Sequence, residues 1–561
     1  MKNVVAGAYR KLVGGYVVVA VLSCAVNLLM LTGPLFMLQV YDRVLASRSV
    51  PTLTALVILA AGLYAMMGVF DLVRNRILSR VSQRLDDELS RPAFRSWLVR
   101  SLGGHAPGYR PLQDLATVRG FLSSPTMTAL FDLPWFPAFL AVVYLLHFQL
   151  GVIASIGAGV VIVIAFVNEF MSSRPARDYG QAEIAENRFT EQVQRGADAV
   201  IAMGMLGDVS GRWKGLRDTA LFFLQKGTER SEYFTALSKA FRLLLQSLIL
   251  GYAAYLAIFE EITPGMIVAA SIIAGRALAP LDQVVGGWRM LKRARLANSR
   301  LKDYLARDAE ATPVSVRLPD PVGRLDVTNV TKYTPGQAGA ADRRSILSGI
   351  SFNLSPGEGL GIIGPSASGK TSLARLLVGL WMPDQGHVRI DGATHEQWDP
   401  DDLGRFIGYL PQQIELFPGS IAQNIARFRP DVASEDIVAA AMAAGVHEFI
   451  LRFPAGYATE AEGPASPLTG GLRQRIALAR AIFGSPALVV LDEPNSNLDA
   501  EGDEALTRAI ATLRERGAAV VVMAHRPSAI AAVDKVLMLN EGRVLEFGDK
   551  SEVLRKVTRV T

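Results

Sequence analysis

Residues 364–371 read Gly-Pro-Ser-Ala-Ser-Gly-Lys-Thr and match the pattern G-x-x-x-x-G-K-[ST] at every fixed position. An apolar segment (360–363) precedes the motif, and a segment with helical character (371–378) follows it. In this strand–loop–helix context, glycine-rich backbone amides at the start of a helix bind phosphate groups. The motif therefore predicts that Lys370 reaches the β- and γ-phosphates of a nucleotide and that the Thr371 hydroxyl is a ligand of Mg²⁺.

A second apolar segment, residues 488–491, ends in two acidic residues, Asp492 and Glu493. Carboxylates at the end of a buried strand are costly unless they have a partner or a function. We expect Asp492 to hold the Mg²⁺ shell and Glu493 to polarise the attacking water as a general base. A strand that simply ends in an acidic turn is the alternative, and the phosphate-binding motif argues against it.

Phosphoryl transfer also needs donors around the γ-phosphate oxygens, because the transition state spreads negative charge over them. One candidate is the segment 469–471, Thr-Gly-Gly, where a hydroxyl and two glycine amides precede a helical run at 472–482. The other is His525, which follows an apolar run at 519–523. A histidine at the end of a strand is more often structural, so His525 alone predicts little.

The N-terminal half has a different composition from this phosphate-binding region. Half of the 561 residues are hydrophobic and only 20% are charged, fewer charges than a soluble protein of this length usually carries. A helix that spans a bilayer needs about 20 apolar residues. Six segments meet or approach this length: 12–41 (interrupted at Gly33-Pro34), 51–70, 133–150, 151–168, 243–259 and 263–281. They predict six spans joined by short exterior loops. The third and fourth would form a tight hairpin. We expect Asp132 to cap the third, with a direct role in transport as the alternative.

The charges orient these spans. The connections at 71–126 and 171–242 are rich in basic residues, which places both connections and both termini in the cytoplasm. We expect these connections to continue the spans as helices. Arg276 lies inside the sixth span, where it either lines a transport path or sits nearer the cytosol.

The boundary between the two halves is a polar, proline-bearing segment. The predicted domains are therefore a membrane domain at 1–305, a linker at 306–323 and a phosphate-binding domain at 324–561. The predicted fold class is an α-helical six-span transmembrane domain followed by an α/β P-loop domain. With Cys24 as the single cysteine, neither a disulfide framework nor a cysteine zinc site is possible.

The order of motifs in the second half resembles the ATP-binding cassette superfamily. After the phosphate loop come Tyr-Leu-Pro-Gln412, Leu-Thr-Gly-Gly, Leu-Asp-Glu-Pro, Ser-Asn-Leu-Asp499 and Ala-His525-Arg. The resemblance covers the whole second half and implies an ATP hydrolase that uses Mg²⁺. It implies that Tyr333 stacks on the adenine, that Gln412 senses Mg²⁺ and the attacking water, and that His525 contacts the γ-phosphate. The implied phosphate-binding residues are Gly364, Pro365, Ser366, Ala367, Ser368, Gly369, Lys370, Thr371 and Ser372.

In this superfamily each ATP lies between the phosphate loop of one cassette and the signature of another. The chain has one copy of each motif, so the resemblance implies a homodimer, with a heterodimer of related chains as the alternative. Thr469, Gly470 and Gly471 would close on the ATP of the other subunit, and Asp499 would line the interface. The signature usually reads Leu-Ser-Gly-Gly-Gln. Here Thr469 keeps the hydroxyl, but Leu472 lacks the amide, which leaves the ATPase rate open.

The membrane half resembles the permease/ATPase of bacterial type I secretion systems, on residues 31–52 and on Phe-Asp-Leu-Pro-Trp-Phe-Pro at 131–137. This resemblance implies the type I ABC exporter fold in the bacterial inner (cytoplasmic) membrane, surrounded by membrane lipids. The implied function is export of an unfolded polypeptide with a C-terminal signal, together with a periplasmic adaptor and an outer-membrane tunnel protein. A lipid or drug exporter of the same architecture is the alternative. A soluble cassette ATPase acting on nucleic acid is disfavoured by the six spans, so no nucleic-acid partner is expected.

Overall fold

The computed structural model describes residues 4–101, 110–311, 318–334, 345–463, 466–524 and 527–557. Their internal contacts divide the chain into two compact units: among the described residues the first comprises 4–100 and 110–310, and the second comprises Ser101 and the residues from Ala311 onward. The first unit consists of helices, and the second combines two β-sheets with shorter helices.

The described part of the first unit contains eleven α-helices. Four of them are 48 to 53 residues long. In chain order they are α1 (Val4–Leu29), α2 (Thr32–Gln39), α3 (Leu45–Ser47), α4 (Val50–Ser101), α5 (Pro111–Leu122), α6 (Pro125–Asp132), α7 (Phe136–Leu146), α8 (Phe148–Arg195), α9 (Ala197–Ala202), α10 (Leu206–Ile258) and α11 (Pro264–Ala311). A π-helical turn (Val40–Val44) and a 3₁₀ turn (Leu133–Trp135) join neighbouring helices.

By length and composition, six helical segments of the described chain can cross a membrane, as predicted. They are Val5–Ser47, Val50–Arg100, Pro125–Leu146, Phe148–Met171, Leu206–Ile258 and Pro264–Ala306. The predicted helical continuation of the spans into the connections at 71–126 and 171–242 is confirmed in α4, α8 and α10, and α11 continues beyond the sixth span as well.

Two details of the spans concern proline and histidine. The first span is interrupted at Met30-Leu31. Pro34 has no N–H to give to a preceding turn, so it lies in the first turn of the new helix α2. The predicted boundary between the third and fourth spans, at 150/151, was wrong. The extended residue His147 separates α7 from α8.

A buried polar cluster joins three helices of the first unit. Arg74 of α4 is 4% exposed and Asp132 of α6 is 8% exposed. The Arg74 guanidinium donates to Asp132 Oδ1 (2.9 Å) and to the Ser23 hydroxyl (3.1 Å) of α1. The Asn27 amide donates to the same Oδ1 at 2.7 Å. The prediction that Asp132 caps the third span was wrong. Asp132 is the last residue of α6, and its carboxylate is used by side chains of other helices instead.

The second unit contains two sheets. The strands are β1 (Leu325–Tyr333), β2 (Ser345–Leu354), β3 (Gly359–Ile363), β4 (Gln385–Ile390), β5 (Ala393–Thr394), β6 (Ile407–Leu410), β7 (Leu488–Asp492), β8 (Ala519–Met523), β9 (Lys535–Asn540) and β10 (Arg543–Asp549). A four-stranded antiparallel sheet has the order β2-β1-β4-β5, and a six-stranded sheet has the order β10-β9-β3-β8-β7-β6. In the larger sheet all neighbours are parallel except β10, which is antiparallel to β9.

Eight helices accompany these sheets in the described part of the second unit. They are α12 (Lys370–Leu377), α13 (Pro400–Leu403), α14 (Ile421–Ile425), α15 (Ser434–Ala443), α16 (His447–Leu451), α17 (Gly470–Ile482), α18 (Ala500–Glu515) and α19 (Lys550–Val557). Strands β3, β7 and β8 are almost entirely buried, which explains why their sequences read as continuous apolar runs. The carboxyl ends of these three neighbouring parallel strands lie at one edge of the sheet, where α/β proteins bind ligands.

Replacement of Asp132 by Ala should destabilise the protein by about 1–3 kcal/mol, because it removes the buried carboxylate that contacts Arg74 and leaves only the half-exposed Asp71 to pair with this guanidinium. The melting temperature of the purified protein in detergent measures this. The matched control is Glu88→Ala, which removes an exposed ion pair with Lys11 (2.8 Å) and should cost about 0–1 kcal/mol. Equal melting temperatures for the two variants would contradict this assignment.

Candidate functional site

The phosphate loop lies between β3 and α12, as its sequence predicts. Gly369 has a φ of +103°, a conformation that L side chains rarely adopt. A Cβ on Gly364 would lie 2.1 Å from the carbonyl oxygen of Leu539, so no side chain fits there. These two glycines allow the backbone to curl tightly at the start of α12, the arrangement in which amides can surround an anion.

Lys370, the first residue of α12, points back across the loop. Its ammonium group donates to the carbonyl oxygens of Gly364 (2.8 Å) and Pro365 (2.9 Å). The residue is 5% exposed. Burial lowers the pKa of the Lys370 ammonium, while the nearby carboxylates of Glu493 and Asp492 oppose that shift. A desolvated cation therefore lies at the centre of the loop, facing two carboxylates.

Asp492, the last residue of β7, is 1% exposed. Among the described residues neither of its carboxylate oxygens has a hydrogen-bond partner. Burial raises the pKa of the Asp492 carboxyl; the Thr371 hydroxyl lowers it, Glu493 raises it further, and the charges of Arg375 and Lys370 lower it. An unpartnered buried carboxylate beside a hydroxyl is a pair of oxygen ligands of the kind that Mg²⁺ prefers, so the residues present fit this ion.

The described residues contain no group of three or more histidine, cysteine or acidic side chains able to hold a metal ion by themselves.

Glu493 follows directly after β7 and occupies the left-handed region, with a φ of +53°. Its backbone N–H donates to the carbonyl of Met523 at the end of β8 (3.0 Å). For a residue other than glycine this conformation is strained, and such strain is common at functional sites. The turn directs the chain away from the sheet immediately after Asp492, so both carboxylates remain at the carboxyl edge near Lys370.

The signature segment lies at the start of α17. Thr469 is its N-cap residue with an extended backbone, and its hydroxyl makes no capping hydrogen bond. In the part of the chain that the structure describes, no atom lies within 4 Å of a Cβ built on Gly470. The side chain of Leu472 is half-buried and packs against the hydrophobic core of its own unit. Leu472, which stands where the signature usually has glutamine, therefore stabilises α17 by apolar packing against this core.

The remaining predicted residues occupy several places. Tyr333 ends β1, and its N–H donates to the Asp384 carboxylate (2.8 Å). Gln412 is exposed in the segment after β6. Asp499 caps α18 by accepting from the Gly502 N–H (2.9 Å). His525 lies outside the described residues. The structure thus brings Lys370, Thr371, Asp492 and Glu493 together.

Sequence reasoning missed Arg475, which is buried in α17. Its guanidinium donates to Asp499 Oδ1 (2.6 Å) and to the Gly445 carbonyl (2.9 Å), and it lies 4.8 Å from the centroid of the Phe449 ring. The pKa of Asp499 lies below its usual range. The hydrogen bond from the Gly502 N–H is the larger cause, and the hydrogen bond from the Arg475 guanidinium is the smaller one. No sequence pattern predicts this pairing, because the two residues are 24 positions apart and meet through tertiary packing.

Residues 347–496 match the family model of the ABC transporter, and residues 16–278 match that of the ABC transporter transmembrane region. The chain is 46% identical to the type I secretion system ATP-binding protein PrsD of Rhizobium meliloti (strain 1021), over 99% of this chain and 94% of the relative. It is 28% identical to the leukotoxin export ATP-binding protein LtxB of Aggregatibacter actinomycetemcomitans, over 98% of this chain and 77% of that protein.

Among solved structures, a bacterial Atm1-family ABC exporter with ATP bound superposes with a TM-score of 0.81 and 22% identity, over 98% of this chain and 97% of that chain. At this identity the likeness shows the fold alone, and it confirms the predicted ABC exporter fold.

The fold and the phosphate-binding site therefore define an ABC transporter, a multi-pass membrane protein with an ATP-binding domain. Within that class, the chain belongs to the ATP-binding proteins of type I secretion systems, which couple ATP hydrolysis to polypeptide export. The predicted family and enzymatic class are confirmed.

We expect Asp492→Asn to stabilise the nucleotide-free protein. An unfolded chain releases the carboxyl proton at about pH 3.9, whereas the folded protein holds it to a higher pH. Between these two pKa values the folded state binds more protons, so wild-type stability falls as pH rises, and above the raised pKa the loss is constant. The advantage of the amide variant over the wild type should grow across that window and then remain constant.

Thermal melting at a series of pH values measures this effect. Asp499→Asn is the matched control, because the pKa of Asp499 is shifted in the opposite direction and its replacement should not stabilise the protein. MgATP should raise the melting temperature of the wild type more than that of Asp492→Asn. A variant that is no more stable than wild type at any pH would contradict the assignment of an unpartnered charge.

Leu472→Gln, which restores the usual signature residue, should lower stability by about 1 kcal/mol, because it places an amide against an apolar core. We expect no gain in ATPase rate from this change. Arg473→Gln, on the next residue of the same helix, serves as the control for the added amide. A several-fold rise in kcat for Leu472→Gln alone would show that the missing amide limits turnover.

Proposed function

We propose that two copies of this chain form a homodimer in the bacterial inner membrane and export unfolded polypeptides that carry a C-terminal signal. The observation that carries this proposal is the 46% identity to a type I secretion ATP-binding protein over nearly the whole length of both chains. The ATP-binding domains lie in the cytoplasm, as the basic connections between the spans favour.

Each ATP binds with its phosphates in the loop at 364–372, where Lys370 and the loop amides neutralise charge on the β- and γ-phosphates. Tyr333 stacks on the adenine. Thr371, Gln412 and Asp492 hold Mg²⁺, which when bound neutralises negative charge on the phosphate oxygens. The unpartnered oxygens of Asp492 support this assignment.

Glu493 orients a water molecule and accepts its proton as the water oxygen forms a bond to the γ-phosphorus. The bond between the γ-phosphorus and the bridging oxygen breaks, and the products are ADP and inorganic phosphate. His525 contacts the γ-phosphate. The strained turn at Glu493 supports its role, because it places the carboxylate next to Asp492 and near Lys370.

The second copy completes each site. Thr469, Gly470 and Gly471 of one chain approach the ATP held by the other, and Asp499 lies at the interface. The start of α17 supports this arrangement, because the Thr469 hydroxyl makes no capping bond and, within the described ranges, no atom lies within 4 Å of a Cβ built on Gly470. A heterodimer with a related chain would use the same surfaces.

Export across two membranes requires further proteins, and we propose a periplasmic adaptor and an outer-membrane tunnel as partners. The turns that join the spans on the exterior side support this, because each is only a few residues long. Residues 48–49 separate α3 from α4, His147 separates α7 from α8, and residues 259–263 separate α10 from α11. Connections of this length cannot form a folded domain.

The alternative function is export of lipids or drugs. One observation favours it: an apolar cavity of about 160 Å³ in the first unit, lined in part by Phe166, Leu281 and Trp288. An acyl chain or a drug-like amphiphile is of suitable polarity for such a cavity.

The test compares wild type with Glu493→Gln in lipid, with and without unfolded polypeptides that end in a free C-terminal tail. Loss of the general base should lower kcat by about 10²–10⁴-fold and trap an ATP-bound dimer. Polypeptide, and neither lipid nor drug, should change the wild-type rate. The surface variant Glu504→Gln, on an exposed part of α18, is the control and should keep wild-type activity. Stimulation by amphiphiles alone would identify a small-molecule exporter instead.

A further inference from the structure

Gln474 is a buried polar residue that the catalytic scheme above does not use. It lies in the second turn of α17, just after the signature, and is 1% exposed. A side-chain amide at such a position is costly unless each of its polar atoms has a partner.

The partners of Gln474 all belong to the turn that follows β7. Its Nε2 donates to the carbonyl of Pro494, and its Oε1 accepts from the N–H of Asn497 (2.9 Å). The same Nε2 lies 3.5 Å from the carbonyl oxygen of Glu493 and 3.5 Å from the hydroxyl of Ser496. One planar amide therefore contacts the backbone or side chain of four residues, beginning with Glu493 itself.

The turn needs such a partner. Glu493 is held in the left-handed region, and a strained backbone persists only where its surroundings fix it. Within the turn, the Ser496 N–H donates to the Glu493 carbonyl (3.3 Å). The Pro494 carbonyl and the Asn497 N–H are instead satisfied by Gln474, which closes the turn from the side of α17.

The signature also lies against this turn. A Cβ on Gly471 would be 3.1 Å from the carbonyl oxygen of Asn497. One helical turn later, Arg475 binds the Asp499 carboxylate. The first two turns of α17 thus hold the whole segment from Glu493 to Asp499.

We propose that Gln474 is a positioning residue for the Glu493 carboxylate. By fixing the backbone at Pro494 and Asn497, it determines the direction in which the preceding residue presents its side chain. Gln474 belongs to the signature helix. It therefore also joins the general base of one ATP site to the signature that acts at the other ATP site, so that the two move as one rigid body. This inference rests on the proposed role of Glu493.

Gln474→Met tests the proposal, because methionine has a similar length and volume but offers neither the donor nor the acceptor. Misplacement of the base should lower kcat about tenfold to a hundredfold, whereas KM for ATP should change less than about twofold. The control is Gln423→Met, which removes a bond to the Ser420 N–H (2.9 Å) in α14 of the same unit and should leave kcat unchanged.

A double-mutant cycle with Glu493→Gln separates positioning from a general structural effect. If Gln474 acts through Glu493, Gln474→Met should lower the residual rate of Glu493→Gln by less than about twofold, because the base that it positions is already gone. The same factor in both backgrounds, or an unchanged kcat in the wild-type background, would overturn the proposal.

Two further outcomes, a variant that does not fold and a Glu493 variant that stays active, can also be interpreted. If Gln474→Met does not fold, Gln474→Glu replaces it in the cycle, since it keeps an oxygen for the Asn497 N–H and should again lower kcat only where Glu493 is present. If Glu493→Gln retains the wild-type rate, the proposed role of Glu493 fails. That outcome is distinguishable, because it appears in the single variant before Gln474 is changed.

Discussion

The catalytic arrangement depends on the parallel pairing of β3 and β7 with the strand between them, β8. The phosphate loop follows β3 and the two carboxylates follow β7, and these two segments are far apart along the chain. Because the carboxyl ends of parallel neighbours share one edge of a sheet, the pairing alone places them side by side. The result is a cation at the start of α12 that faces two carboxylates at the end of β7. This strand pairing is what brings the phosphate-binding glycines close to the strained turn at Glu493 and to the proposed Mg²⁺ ligands.

The signature helix α17 is the second element on which the arrangement depends. Its first two turns bind the segment that begins at Glu493 and ends at Asp499. Near its C-terminal end, Arg480 donates to the carbonyl of Glu415 and lies over the ring of Phe417, in the segment that also contains Gln412. A single helix therefore carries the signature and contacts both the turn that begins at Glu493 and the segment after β6.

The fold and much of the site could be predicted from the sequence because the signals are local. Six apolar segments, a phosphate loop and a strand that ends in two acids are each visible within about twenty residues. The parts that could not be predicted depend on partners distant in sequence. Asp132 looked like a helix cap, but its carboxylate binds Arg74 and Asn27 of other helices. Similarly, Gln474 is an ordinary helix residue in the sequence, and its role is visible only where the turn after β7 packs against it.

Buried charges in the two units differ in how they are partnered. The difference separates a charge that stabilises the fold from a charge that is available to a ligand. In the helical unit, the buried guanidinium of Arg74 contacts the carboxylates of Asp132 and Asp71 and the hydroxyl of Ser23, so much of the cost of desolvation is offset within the protein. In the ATP-binding unit, Asp492 is at least as buried, yet among the described residues its oxygens have no hydrogen-bond partner. An arrangement that served folding alone would have no reason to keep such a carboxylate ionisable, because an apolar residue would stabilise the strand end better. The unpartnered oxygens of Asp492 therefore support the proposed Mg²⁺ site, and the sequence places them beside the phosphate loop.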